Sequence, residues 1–267
     1  MDTNKKLLIG GVVLILIILG AVIWYMASHP APEVPTPQAG EPQGETGVIR
    51  ENEQYWEIEA SYPASTPLKA SAGAGADAHA VEVMKQFAEN SVQSFKEENG
   101  LLTMTQDDIT MQRLDEGRKY ALGMEYELHT SDSTVSYVYL MYADTLGAHP
   151  NAYYRTFTFD SETGAGLTLG DLFVPGSDYL AKLSSTSRAK LVTQIAEASK
   201  VSESQLNMDM IDAGTTPDED NYLNFYLEGN ALVIIFAPYQ VGPWALGMQE
   251  VRLPASELSA ILKAKYQ

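Results

Sequence analysis

The sequence predicts an α+β protein, built of antiparallel sheets that each carry helices on one side. Three observations point there. Tyr120, Leu122, Met124, Tyr126 and Leu128 alternate strictly with other residues, the period of a half-buried strand. Val81, Met84, Phe87, Val92 and Phe95 recur at three- to five-residue steps, which sets them on one stripe of an amphipathic helix. Two apolar runs, Tyr222 to Leu227 and Ala231 to Phe236, flank Glu228-Gly229-Asn230, a tight hairpin whose glycine supplies a positive φ.

Before these elements the chain is of a different character. Leu7 to Met26 is a run of 20 residues without a charge. At about 1.5 Å per residue it just crosses a hydrocarbon core of about 30 Å, so residues 7–26 are expected to be a transmembrane helix. A cleaved signal peptide is the competing reading, but its apolar region is usually about 7 to 15 residues. Trp24 and Tyr25 fit an interfacial aromatic belt, and Lys5 and Lys6 in the stub 1–6 keep the N-terminus cytoplasmic. Everything later is then extracytoplasmic, on a single-pass protein of the cell membrane. Residues 27–52 hold five prolines, at 30, 32, 35, 37 and 42, and few large apolar residues, and are expected to be a semi-rigid tether.

Two adjoining sheet-plus-helix modules should follow, over 53–146 and 147–267. The first opens with a strand over Gln54 to Tyr62, stopped by Pro63, and a helix with Asp77 as N-cap and Gly100 as stop. A turn at Thr105 to Asp108 leads to the alternating strand and, with Val135 to Tyr142 and Tyr153 to Phe159, to an antiparallel meander. The second module has a turn at Ser161 to Gly164, a short strand at Leu167 to Leu169, and a helix from about Asp178 to Ser199 carrying Leu180, Leu183, Leu191 and Ile195. The hairpin, a strand through Val251 and Leu253, and a terminal helix opened by Pro254 and Ser256 complete it.

Composition removes several functions. With no cysteine there is no disulfide scaffold, thiol nucleophile or Cys-based zinc site. A formal charge of −18 excludes nucleic acid, which is bound by Lys and Arg releasing counterions. Four histidines, His29, His79, His129 and His149, show no H-E-x-x-H spacing, and neither a G-x-S-x-G elbow nor a glycine-rich phosphate loop occurs. Asp218-Glu219-Asp220-Asn221 is half a calcium loop without its central glycine, better read as a solvated loop. No metal and no cofactor is expected.

A resemblance rests on the tracts Ala148-His149-Pro150-Asn151, Phe157-Thr158-Phe159-Asp160 and Leu167-Thr168-Leu169-Gly170-Asp171-Leu172-Phe173, and on Phe225 to Phe236 followed by Pro238-Tyr239, Gly242, Gly247 and Val251. Together they resemble the C-terminal ectodomain of RsiV-like anti-sigma factors. Ser61-Tyr62-Pro63 and the helix after it resemble the small domain that precedes this one in RsiV and in PdaC-like peptidoglycan deacetylases. The expected stub of six residues matches no sigma-binding segment, and nothing here matches a deacetylase domain. What the resemblance implies is therefore the ectodomain's binding role, known in that family for lysozyme.

The residues themselves favour recognition over catalysis. His149, Pro150 and Asn151 sit between two strands, and Tyr239 and Trp244 bracket a loop rich in glycine and proline. Tyr and Trp supply rigid, amphipathic contact area suited to proteins and sugar rings alike. From Glu53 onward 30 acidic residues face 14 basic ones, a field that would steer a cationic partner. The expectation is a membrane-anchored binding module without catalysis, recognising a cell-wall component or a basic protein such as lysozyme through His149, Pro150, Asn151, Tyr239 and Trp244. A structural subunit of an envelope complex and a cell-wall hydrolase or deacetylase remain the alternatives.

Overall fold

Nine strands in two sheets make up the framework of the computed structural model, which describes residues 45–267. The stub 1–6, the apolar run 7–26 and most of the tether lie outside the described residues, among which no helix is long and apolar enough to cross a membrane. A six-stranded sheet runs in sequence order: β1 (Thr46–Asn52), β2 (Trp56–Pro63), β3 (Tyr120–Thr130), β4 (Thr134–Asp144), β5 (Asn151–Asp160) and β6 (Gly166–Leu167). All neighbours are antiparallel except β2 and β3, which are parallel. A parallel pair needs a crossover, and helices α1 (Ala74–Glu98) and α2 (Gln106–Met111) occupy that connection. The remainder folds as α3 (Tyr179–Ser199), α4 (Met208–Gly214), an antiparallel sheet of β7 (Phe225–Glu228), β8 (Ala231–Phe236) and β9 (Gln249–Pro254), and α5 (Ala255–Leu258). The fold is thus mixed α+β.

The meander and the hairpin form as their patterns require. Gly229 has φ +56° in the two-residue turn closed by Glu228 opposite Ala231. Four expectations need correction. Residues 46–52, assigned to the tether, form β1: beyond Pro42 nothing blocks pairing, and Val48 and Ile49 are too short an apolar run to show a period. Asp77 is not the cap of α1, which starts three residues earlier after Gly73; its carboxylate instead accepts from the Thr66 amide (2.7 Å) and hydroxyl (2.6 Å). Thr105 to Asp108 is the reciprocal capping box of α2, more than a turn. The terminal helix stops at Leu258, and Leu262 instead bridges to Phe173.

Two apolar cores follow from this arrangement. One packs Ala80, Met84, Ala88, Val92 and Phe95 of α1 against Ile58, Leu122, Met124, Tyr126, Tyr137 and Tyr139. The other gathers Leu183, Leu191 and Ile195 of α3 around Phe225, Leu227, Leu232, Ile234, Phe236, Val251 and Leu253. The expected division at 146/147 falls in the β4–β5 connection, inside the six-stranded sheet, whereas membership of the two cores changes between Phe159 and Leu169. A third cluster, Val138, Tyr226, Val233 and Ile235, fills the space where the sheets meet. Hydroxyls at that junction are satisfied across it: the Phe225 amide donates to Thr156 Oγ1 (3.0 Å), and Thr158 Oγ1 to the Phe225 carbonyl (3.2 Å).

Tyr139 departs from this economy. It is fully buried among Phe87, Tyr126 and Phe157, and its hydroxyl finds no partner. An unmade buried hydrogen bond costs about 1–3 kcal/mol, so Tyr139→Phe is expected to leave stability unchanged or raise it by about 1 kcal/mol, read as a higher urea midpoint. A lower midpoint would show that the hydroxyl is bonded in solution.

Asp160, buried at the end of β5, is the opposite case. Burial works against its charge, but Lys265 Nζ (2.5 Å) and the amides of Glu162 (3.0 Å) and Thr163 (3.1 Å) outweigh it and hold the carboxyl below its ordinary range. A carboxyl depressed on folding stabilises above its unfolded pKa, and that contribution is lost as pH falls through the folded value. Asp160→Asn is expected to lower stability by about 2 kcal/mol at neutral pH, with the urea midpoints of the two proteins converging below pH of about 4.

Candidate functional site

Two loops meet at one end of the framework. The β4–β5 connection, residues 145–150, carries His149, and the β8–β9 connection, residues 237–248, carries Tyr239 and Trp244. Their side chains converge: the His149 and Trp244 rings lie 4.6 Å apart and tilted by 30°, and Tyr239 lies 6.4 Å from His149 at 32°. Residues 90 or more apart in sequence thus form one aromatic clasp.

Hydrogen bonds set the chemistry of that clasp. His149 Nδ1 lies 2.9 Å from the Pro150 carbonyl, which only accepts, so Nδ1 carries a proton. In the neutral ring Nε2 then accepts from the Tyr239 hydroxyl at 3.2 Å. This leaves the Tyr239 oxygen's lone pairs free to accept from a ligand. Tyr239 is 54% exposed and has φ +70°, a left-handed conformation uncommon for an aromatic residue. Such conformations persist only where their surroundings hold them.

The surroundings do hold it. Gln240, the next residue, donates to the carbonyls of Asn221 (3.0 Å) and Gly214 (3.3 Å) and accepts from the Ala237 amide (3.1 Å). Val241 is buried in the second core, and Pro243 leads into a single turn, Trp244–Leu246. Gly214, at the end of α4, lies so close that a Cβ there would stand 2.1 Å from the Gln240 carbonyl oxygen. Gln240 and Gly214 carried no visible signal in the sequence, since their roles depend on a loop crossing a helix end.

Of the five residues singled out by sequence, three form the clasp. Pro150 contributes its carbonyl, and Asn151 begins β5 opposite Ala143. Asp218 accepts from the Asp220 amide and Glu219 from the Tyr179 hydroxyl, so that acidic stretch serves as a capped turn. Among the described residues no group of three or more His, Asp or Glu is placed to hold a metal ion.

A second polar cluster, invisible in the sequence because it draws on three strands, lies where the sheets join. His129 stacks on Tyr226 at 4.0 Å and bonds Glu228 through Nδ1 at 3.0 Å, and Arg252 also reaches Glu228 (2.6 Å). These bonds keep the Glu228 carboxyl below its usual range. Glu250, bonded to the Tyr226 hydroxyl (3.3 Å), is pushed the other way by desolvation, with the like charges of Glu127 and Glu228 adding to it.

Parts of the chain are similar to known proteins. Residues 170–256 match the family described as "Protein of unknown function (DUF3298)". The chain is 28% identical over 184 residues to the peptidoglycan-N-acetylmuramic acid deacetylase PdaC of Bacillus subtilis, covering 68% of this chain and 36% of that protein. It is 26% identical over 143 residues to an esterase of Mycobacterium tuberculosis, covering 52% of this chain and 59% of that one. The chain thus spans less than two thirds of either relative. Two solved structures share its fold with TM-scores of 0.50: a DUF3298 family protein of Pseudomonas aeruginosa (14% identity, 84% of this chain and 97% of that one) and a DUF3298 family member from Bacteroides fragilis (19%, 83% and 94%). Tyr239 and Trp244 lie within the residues that match this family, 170–256, and His149 precedes them, so the clasp joins the matched segment to the sheet in front of it.

Proposed function

We propose that this chain is an extracytoplasmic binding module, anchored by residues 7–26 with its N-terminus in the cytoplasm, that recognises a cell-wall glycan without chemically altering it. The observation that carries the reading is the clasp. Trp244 and His149 present tilted rings, and an exposed Tyr239 offers hydroxyl lone pairs beside them. Aromatic faces stack on the apolar faces of sugar rings, while hydroxyl and amide groups at the edge select their orientation. The strained Tyr239 backbone, held by Gln240, fits a site preorganised for a ligand. The Bacillus subtilis relative supports a peptidoglycan ligand by its name alone.

Co-sedimentation of the full chain with insoluble peptidoglycan tests this. Wild-type protein is expected in the pellet and Trp244→Ala in the supernatant. Wild-type protein left wholly in solution would contradict the proposal. A second reading, RsiV-like capture of a basic protein such as lysozyme, draws on the 30 acidic and 14 basic residues from Glu53 onward. It predicts salt-sensitive retention on immobilised lysozyme, independent of Trp244.

A further inference from the structure

The six-stranded sheet is covered unevenly, and the uncovered part lies beside the clasp. One face packs on α1. On the other, the three-stranded sheet covers β4 and β5 around Val138, Tyr154, Thr156 and Thr158. Strand register identifies what this second face presents beyond that cover: Arg50 opposite Glu59, Glu59 beside Gly123, Gly123 opposite Tyr142, and Tyr142 opposite Ala152 form one row. Asn52, Glu57, Ala121 and Asp144 form the next row out, and Glu125 opposite Leu140 the next row in. Small residues therefore make a floor, Tyr142 stands on it 42% exposed, and carboxylates surround it.

We infer that this face extends the clasp into one binding surface, and that its ligand is a glycan whose sugars carry free amino groups. The inference rests on the glycan-binding reading above and narrows its substrate class. Three observations support it. First, the face and the clasp are joined along the chain: β4 leaves the face at Asp144 and β5 returns at Asn151, and the connection between them carries His149. Second, the face offers carboxylates to a cation. Glu59 is paired with Arg50 (2.9 Å), and Lys119 reaches Asn52 (2.7 Å), but Glu57 and Glu125 are exposed and have no ion pair among the described residues. Third, charge disfavours two other occupants of the face. A second copy of a chain of formal charge −18 would be repelled, as would the tether, whose residues 27–44 hold Glu33 and Glu41 and neither Lys nor Arg. A protonated amino sugar meets both needs, with a ring for Tyr142, Trp244 or Tyr239 and an ammonium for Glu57 or Glu125.

Calorimetric titration of the full chain with the hexamers of β-1,4-linked glucosamine and N-acetylglucosamine tests this, at a pH where the amines are protonated. The glucosamine hexamer is expected to bind about tenfold tighter at low salt, and the gap should close as ionic strength rises. Glu57→Gln with Glu125→Gln is expected to remove the preference while keeping the affinity for the acetylated hexamer, and Trp244→Ala to weaken both. Equal affinities, or a preference that survives the double substitution, overturn the inference and leave glycan binding standing. Hexalysine bound as tightly as the glucosamine hexamer overturns it in favour of a basic peptide. Binding of neither glycan removes the glycan reading itself.

Discussion

Gly214→Ala is expected to lower stability by about 3 kcal/mol and to loosen the loop that carries Tyr239 and Trp244. The cause is steric. A methyl at this position meets the Gln240 carbonyl oxygen at 2.1 Å and Val241 Cγ1 at 2.8 Å, and one of these neighbours is backbone that cannot rotate away. Relief requires the end of α4 to separate from the loop, which breaks the Gln240 bonds to Gly214 and Asn221 and uncovers Val241. Urea denaturation gives the stability change, and hydrogen exchange over residues 237–248 reports the loop. A variant as stable as the parent would show that the loop packs more loosely than described.

The second large effect is on binding. Trp244→Ala removes the widest aromatic face of the clasp while the residue is half-buried in a surface turn, so stability should fall by less than about 1 kcal/mol. Aromatic anchors at binding surfaces contribute about 2 kcal/mol or more, which predicts affinity for a peptidoglycan fragment at least about thirtyfold weaker. Trp244→Phe retains a ring and should recover part of the loss. Equal binding by all three proteins would remove the clasp from the site.

Periodicity in the sequence revealed most of the fold and little of the site's support. Strands β3 to β5, the β7–β8 hairpin and helices α1 and α3 follow from apolar spacing, because each buries one face against a core. β1 was hidden because an edge strand with two adjacent apolar residues has no period to read. The parallel β2–β3 pairing was hidden because strand direction is set by the crossover and leaves no mark on either strand's alternation. His149, Tyr239 and Trp244 stood out as residue types in turn-rich tracts. Their convergence, and the Gln240 and Gly214 contacts that hold it, are products of tertiary packing. The His129, Glu228 and Arg252 cluster assembles from three strands for the same reason.

If ligand is held at the clasp, between the two loops, hydrogen exchange of the full chain with and without a soluble peptidoglycan fragment will locate it. Slowed exchange over residues 145–151 and 237–248, absent in Trp244→Ala, is the predicted result. Protection confined to the turns at 131–133 and 229–230, or none in the two loops despite binding, would contradict it.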